Sequence, residues 1–103
     1  MDLGEVRKAV LALLDENRIY VPWDHIFGEG HRVSADEIRV ALEDGGYELH
    51  ETEDGRYSAI YLEKGSRVAI VVVFELWEAD GIEEVFVVTA FHAATGGGRA
   101  RGR

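Results

Sequence analysis

No cysteine occurs in this chain, so disulfides and thiolate-held metals are excluded and the redox compartment stays unread. Proline appears once, as Pro22, asparagine once, as Asn17, methionine once, as Met1, and glutamine not at all. Few thermolabile residues beside 13 glutamates suit a heat-adapted protein. Only Lys8 and Lys64 supply the lysine half of that signature, so a salt-adapted or GC-rich source fits as well. Long apolar runs are also missing. The longest, Val68 to Phe74, is far too short to cross a bilayer as a helix. The N-terminus is amphipathic and acidic, without the basic start and unbroken apolar core of a secretory signal. The expectation is a soluble, cytoplasmic protein with no membrane partner.

Positive charge is the last scarcity. The 103 residues hold 11 basic and 20 acidic side chains, a net charge of −9. Three of the basic residues, Arg99, Arg101 and Arg103, lie in the last five positions. Without them, 8 bases face 20 acids and the remainder carries −12. Such a body repels polyphosphate over long range. No nucleotide-binding, metal or protease motif is present. His25, His31 and His92 have no zinc-ligand spacing, so neither metal nor cofactor is expected.

What the chain does contain reads as one α+β domain over 1–92, followed by a Gly/Arg-rich tail, 93–103, expected to be disordered. Residues 2–17 place Leu3, Val6, Val10, Leu13 and Leu14 on one helical stripe, with Asp2 and Glu5 in capping-box positions. Residues 35–44 form a second helix, capped by Ser34 with Glu37 three positions on and stopped at Gly45–Gly46. Between them, RIYVPWDHIFGEGHRV at 18–33 is irregular and mixes aromatic, titratable and glycine residues.

Alternating runs at 47–53, 56–63, 67–77 and 85–92, with short loops, predict a four-stranded antiparallel meander under the two N-terminal helices. Asp54–Gly55 is the strongest hairpin signal. The third strand is apolar on both faces, interrupted only by Glu75. Two helices cover one face of a sheet. The other is expected to hold Tyr57, Tyr61, Val71, Val73, Glu75, Trp77, Phe86, Val88 and His92. Glu75, if buried and unpaired there, would have a raised pKa; otherwise it lies at an exposed edge or pairs with Arg67.

The pieces HIFGEGHRVSADEIRVAL, DGRYSAIYL and RVAIVVVFELWEADGIEEVFVVTAFHA, together spanning about 24–92, resemble small toxin ribonucleases of the RelE and BrnT type. These belong to the barnase–EndoU–colicin–RelE superfamily. The resemblance rests on His31 with RVSADEI at 32–38 and on VVTAF at 87–91. It implies helices on a four-stranded antiparallel sheet and metal-independent RNA cleavage, with a basic antitoxin as partner. Carried over by residue, His31 or His25 is the acid or base, Arg32 and Arg67 clamp phosphate, and Thr89 donates a hydrogen bond. Tyr61 and His92 assist from the sheet. The sheet of this chain carries acids where such toxins carry bases. A second reading is therefore a non-catalytic, acidic interaction domain that dimerises or binds a basic protein through its open sheet face.

Overall fold

A computed structural model describes residues 2–21, 33–44, 46–62 and 65–94. The order is α1 (Leu3–Asp15), β1 (Ile19–Tyr20), α2 (Ala35–Asp44), β2 (Glu48–Glu51), β3 (Tyr57–Tyr61), β4 (Val68–Ala79) and β5 (Ile82–Ala94). Both helices form where the patterns place them. In α1, Asp2 Oδ1 accepts from the Glu5 N–H at 2.8 Å, and Glu5 Oε1 accepts from the Asp2 N–H at 3.3 Å. The helix stops on Asn17, which adopts φ 59°. There Asn17 N donates to Leu14 O at 2.9 Å and Arg18 N to Leu13 O at 2.7 Å. This is the left-handed stop that asparagine, after glycine, tolerates best. In α2, Ser34 and Glu37 exchange a reciprocal pair of bonds, each 3.1 Å.

Arg39 binds the two helices together. Its Nη2 donates to Leu14 O at 2.7 Å, its Nη1 to Asn17 Oδ1 at 3.0 Å and its Nε to Glu43 at 3.0 Å. A guanidinium from α2 thus closes the carbonyl end of α1, where positive charge is favoured.

Among the described residues the sheet has five strands in the order β1-β5-β4-β3-β2, and it is mixed rather than a four-stranded antiparallel meander. The extra strand is Ile19–Tyr20, inside the stretch read as irregular. It runs parallel to β5 with Ile19 opposite Val85 and Tyr20 opposite Phe86. Val85 N donates to Arg18 O at 2.9 Å. Two residues carry no readable alternation, and a parallel partner some 65 positions away leaves no turn signal.

The β4–β5 hairpin is longer than the sequence predicts. Its pairing runs from Val68↔Ala94 to Ala79↔Ile82, leaving only Asp80–Gly81 as the loop. Both loop residues have positive φ, 55° and 78°, the two-residue turn whose twist matches that of the strands. Glu78 and Glu83, which fall between the expected strands 67–77 and 85–92, are therefore paired strand residues. By contrast Asp54–Gly55 sits in a wider loop closed by Thr52 N donating to Arg56 O at 2.8 Å, with Gly55 at φ 82°.

Both helices pack on one sheet face. Val6, Val10, Leu13 and Leu14 of α1 and Ile38 and Leu42 of α2 meet Leu49, Ala59, Val72, Phe74, Val85, Val87 and Ala90. Each of the Val, Leu, Ile and Phe side chains among them, fully buried, contributes roughly 1.5–3 kcal/mol of transfer free energy. Ala69 and Val71 are also buried, at 0% and 8% exposure, yet stand apart from that core, on the second face.

The sides of the sheet differ from the expected allocation. Tyr57 lies opposite Phe74 and Tyr61 opposite Ile70, so both tyrosines point to the helix side. A bulge between Val73 and Phe74 inserts Val88 as one extra residue in β5. Alternation flips across it. Phe86, opposite Glu75, remains on the open face, but His92, opposite Ile70, moves to the helix side. Strict alternation through 86, 88 and 92 misses this, because a bulge at a Val-Val step leaves no mark in composition.

Candidate functional site

Among the described residues two places gather chemically capable side chains, one on each side of the sheet. On the open side, three aromatic rings from three strands form a row. Phe86 of β5 is stacked with Trp77 of β4, centroids 4.0 Å apart and planes 2° from parallel. It is also stacked with Tyr20 of β1 at 5.2 Å and 17°. The outer members are half exposed, Trp77 at 47% and Tyr20 at 49%.

Beside the row, Glu75 accepts from Trp77 Nε1 at 2.9 Å and from Arg56 Nε at 2.8 Å. Arg56 also pairs with Asp54 at 3.3 Å. The indole bond, followed by the Arg56 bond, holds the Glu75 carboxyl below the usual carboxylate range. Glu75 is thus paired and lowered, not unpaired and raised, and Arg56 is its partner. Asp54 is lowered too, chiefly by the Thr52 hydroxyl. Residues 75–84 contain Glu75, Glu78, Asp80, Glu83 and Glu84 without one base. A cleft of about 510 Å³ adjoins them, lined by Asp54, Arg56, Glu75, Glu78 and Glu83 among others.

On the helix side, an open cavity of about 410 Å³ lies between the start of α2 and the far end of the sheet. Glu37, Tyr61, Ser66, Val68, Ile70 and His92 line it. His92 Nε2 and Glu37 Oε2 are 2.9 Å apart. That bond is the main cause holding the Glu37 carboxyl below its ordinary range.

The expected catalytic residues distribute unevenly over these places. His25, His31 and Arg32 lie outside the described residues, as does the tail beyond Ala94. Thr89 and His92 lie on opposite faces, since Thr89 is opposite Val73 and His92 opposite Ile70 with no bulge between them. Tyr61 joins His92 at the cavity. The Thr89 hydroxyl is buried with no hydrogen-bond partner. Arg67 has a contact of its own and is not a free cation.

Two members of these groups escaped the sequence reading. Glu37 was legible as a capping residue, but its second oxygen is free to reach His92, 55 positions away. Tyr20 sits in the two-residue strand. A Tyr flanked by Ile19 and Val21 just before Pro22 is the only signal it leaves.

Among the described residues no group of three or more His, Asp or Glu side chains is placed to hold a metal ion. Likewise, no helix among them is long and apolar enough to cross a membrane. Compared with known proteins, the chain matches no family model, no curated protein and no solved structure.

Proposed function

We propose that this chain is an acidic interaction domain that docks a basic protein segment on its open sheet face. The observation that carries this reading is the Trp77–Phe86–Tyr20 row, with its outer rings half exposed and Glu75 and Glu84 beside Trp77. Aromatic anchors of this kind dominate binding energy at interfaces. A lysine or arginine over an indole face adds about 0.5–1 kcal/mol at an exposed site. The five acids of residues 75–84 select a cationic partner and speed its encounter. A second copy of the chain on this face would bring Glu75 and Glu84 against their own kind, so charge favours a different, basic molecule over a homodimer. A basic antitoxin-like segment is one such molecule.

The toxin ribonuclease reading draws less support. RNA cleavage without a metal needs cations on the phosphate. Yet each described arginine has a partner of its own: Arg7 with Tyr47 O, Arg18 with Glu16, Arg39 with Leu14 O, Arg56 with Glu75, and Arg67 as well.

The test is calorimetric titration of the full chain with two synthetic peptides, one alternating Arg and Leu and one alternating Glu and Leu. The reading expects binding of the first only, weakened severalfold or more by Trp77→Ala. Equal binding of both peptides, or indifference to Trp77→Ala, overturns it. So does cleavage of RNA in EDTA by the wild-type chain that His92→Ala abolishes.

A further inference from the structure

We propose that the basic segment docks as an added β-strand on the edge of β4 at Leu76 and Glu78, in line with β3 and antiparallel to β4. The inference rests on the interaction reading above. It adds how the partner is held, by its backbone along this edge and by a basic side chain at Glu78 and Glu83.

β4 outruns its neighbour on one side. β3 begins at Tyr57, opposite Phe74, whereas β4 continues to Ala79. Past Tyr57, the place of a neighbouring strand is taken by the cleft of about 510 Å³. Leu76 and Glu78 of β4 line it, with Tyr57 and the Asp54–Arg56 loop ahead of β3. The hairpin sets which backbone groups face this space. Its two-residue turn makes Ala79↔Ile82 the closing hydrogen-bonded pair, and bonded and non-bonded pairs alternate from there. Trp77↔Glu84 is therefore bonded across the ladder, while Glu78↔Glu83 and Leu76↔Val85 are not. Val85 obeys this phase, because its N–H turns away from β4 and donates to Arg18 O at 2.9 Å. Leu76 and Glu78 accordingly turn their N–H and C=O groups away from β5, toward the cleft. An edge of this kind is a ready template for one more strand.

Charge selects the occupant. Glu78 and Glu83 stand directly opposite each other in a non-bonded pair, the closer of the two pair types. Like charges so placed are destabilising, and a cation beside them relieves the repulsion. The added residue opposite Glu78 points its side chain to the same side of the sheet, so lysine or arginine fits there. The next residue points to the other side, beside Trp77, and is apolar. The third, opposite Leu76, takes an arginine whose stem lies along the leucine. The pattern is basic, apolar, basic. A second copy of this edge would bring Glu75 and Glu78 against their own kind, so the acids guard against self-pairing and leave the edge open to a basic strand.

The experiment titrates the full chain with the alternating Arg–Leu peptide and two isomers of it, one N-methylated at every Arg and one at every Leu. Affinity is read by calorimetry and backbone amide exchange by NMR. In a strand the N–H groups of alternate residues point the same way, so each isomer loses the donors of one edge. With arginines opposite Leu76 and Glu78, methylation at Arg should weaken binding at least tenfold. Methylation at Leu should change it less than twofold. Exchange of the Leu76 and Glu78 amides should slow at least tenfold on binding, and Glu78→Gln with Glu83→Gln should weaken the parent peptide severalfold. Equal affinity of the two isomers overturns strand addition, as does unchanged exchange at Leu76 and Glu78. If the parent peptide still binds and Trp77→Ala still weakens it, the interaction reading survives that result. Absence of binding by the parent peptide overturns both. Should the double variant fail to fold, the two isomers on the wild-type chain decide alone.

Discussion

Trp77 and Phe86 lie face to face on adjacent antiparallel strands, 4.0 Å between ring centroids and 2° from parallel. Phe86 pairs directly with Glu75, so Trp77 is its diagonal neighbour. Diagonal side chains on one face are within reach of aromatic rings. Replacing Trp77 by Ala removes the stack, worth about 0.5–1.5 kcal/mol, together with the apolar area it covers. Urea unfolding should register a loss of about 1–2 kcal/mol. An unchanged midpoint would mean the rings stabilise nothing.

Arg39 is the second place to probe. Its three guanidinium nitrogens each find an oxygen, two of them at the carboxyl end of α1. Arg39→Met keeps the stem but removes the charged donors from Leu14 O and Asn17 Oδ1, leaving Leu14 O with the Asn17 N–H alone, and chemical denaturation should show a loss of about 1–2 kcal/mol. Arg39→Lys should recover little of this, because one ammonium cannot reproduce the planar fork. Full rescue by lysine would reduce the contact to simple charge.

The acid limb of stability follows from Glu37 and Glu75. Both have folded-state pKa values lowered from 4.5, Glu37 chiefly by His92 and Glu75 chiefly by Trp77. On acidification the unfolded chain therefore takes up these protons first. The stability they contribute is fully present above the unfolded value and is lost as pH falls through the folded ones. Thermal midpoints should drop below about pH 4.5, and Glu75→Gln should flatten the slope. Both side chains are partly solvated, at 40% and 29% exposure, so each effect is small. A wild-type slope retained by Glu75→Gln would exclude that residue.

Tyr47 offers a test of opposite sign. Its ring is packed in the core with the Arg7 guanidinium 4.5 Å from the centroid, while its hydroxyl is buried without a partner. Burial raises the phenol pKa, and Arg7 works against that rise. Tyr47→Phe removes an unsatisfied polar atom and keeps the ring. Its stability should equal or exceed the wild type by up to about 1 kcal/mol. A loss above that size in thermal unfolding would reveal a bond to the hydroxyl.

Much of this architecture is legible in the residues. Capping boxes at Asp2/Glu5 and Ser34/Glu37 set the start of each helix, and the apolar stripes fix which side is buried. The double-sided apolarity of β4 fits its place between β3 and β5. Two features escape because they are not local. The β1–β5 pairing depends on a contact between distant residues, and the Val88 bulge depends on how β5 meets β4. The same bulge decides the candidate site, since it sends His92 toward Glu37 and away from Thr89. Trp77 and Phe86 were placeable on the open face because neither lies beyond the bulge from the turn that sets their register.

The hairpin turn makes the last experiment. Asp80 and Gly81 both have positive φ, which an L-residue with a side chain adopts at a cost of about 1–2 kcal/mol. Gly81→Ala should lower stability by about 1 kcal/mol, whereas Asp80→Gly should be neutral or slightly stabilising. Equal melting temperatures for Gly81→Ala and the wild type would contradict this.

The same ladder has a consequence in time. Its twelve pairs begin three residues apart at Ala79↔Ile82 and end at Val68↔Ala94, so each new rung closes only a slightly larger loop. Hairpins of this kind zip from the turn in about 1–10 μs, whereas joining β1 to β5 must close some 65 residues at once. The β4–β5 ribbon is therefore the natural nucleus of folding, and β1 docks late. Stopped-flow kinetics should find that Gly81→Ala slows folding by most of its equilibrium effect, while a substitution at Ile19 mainly speeds unfolding.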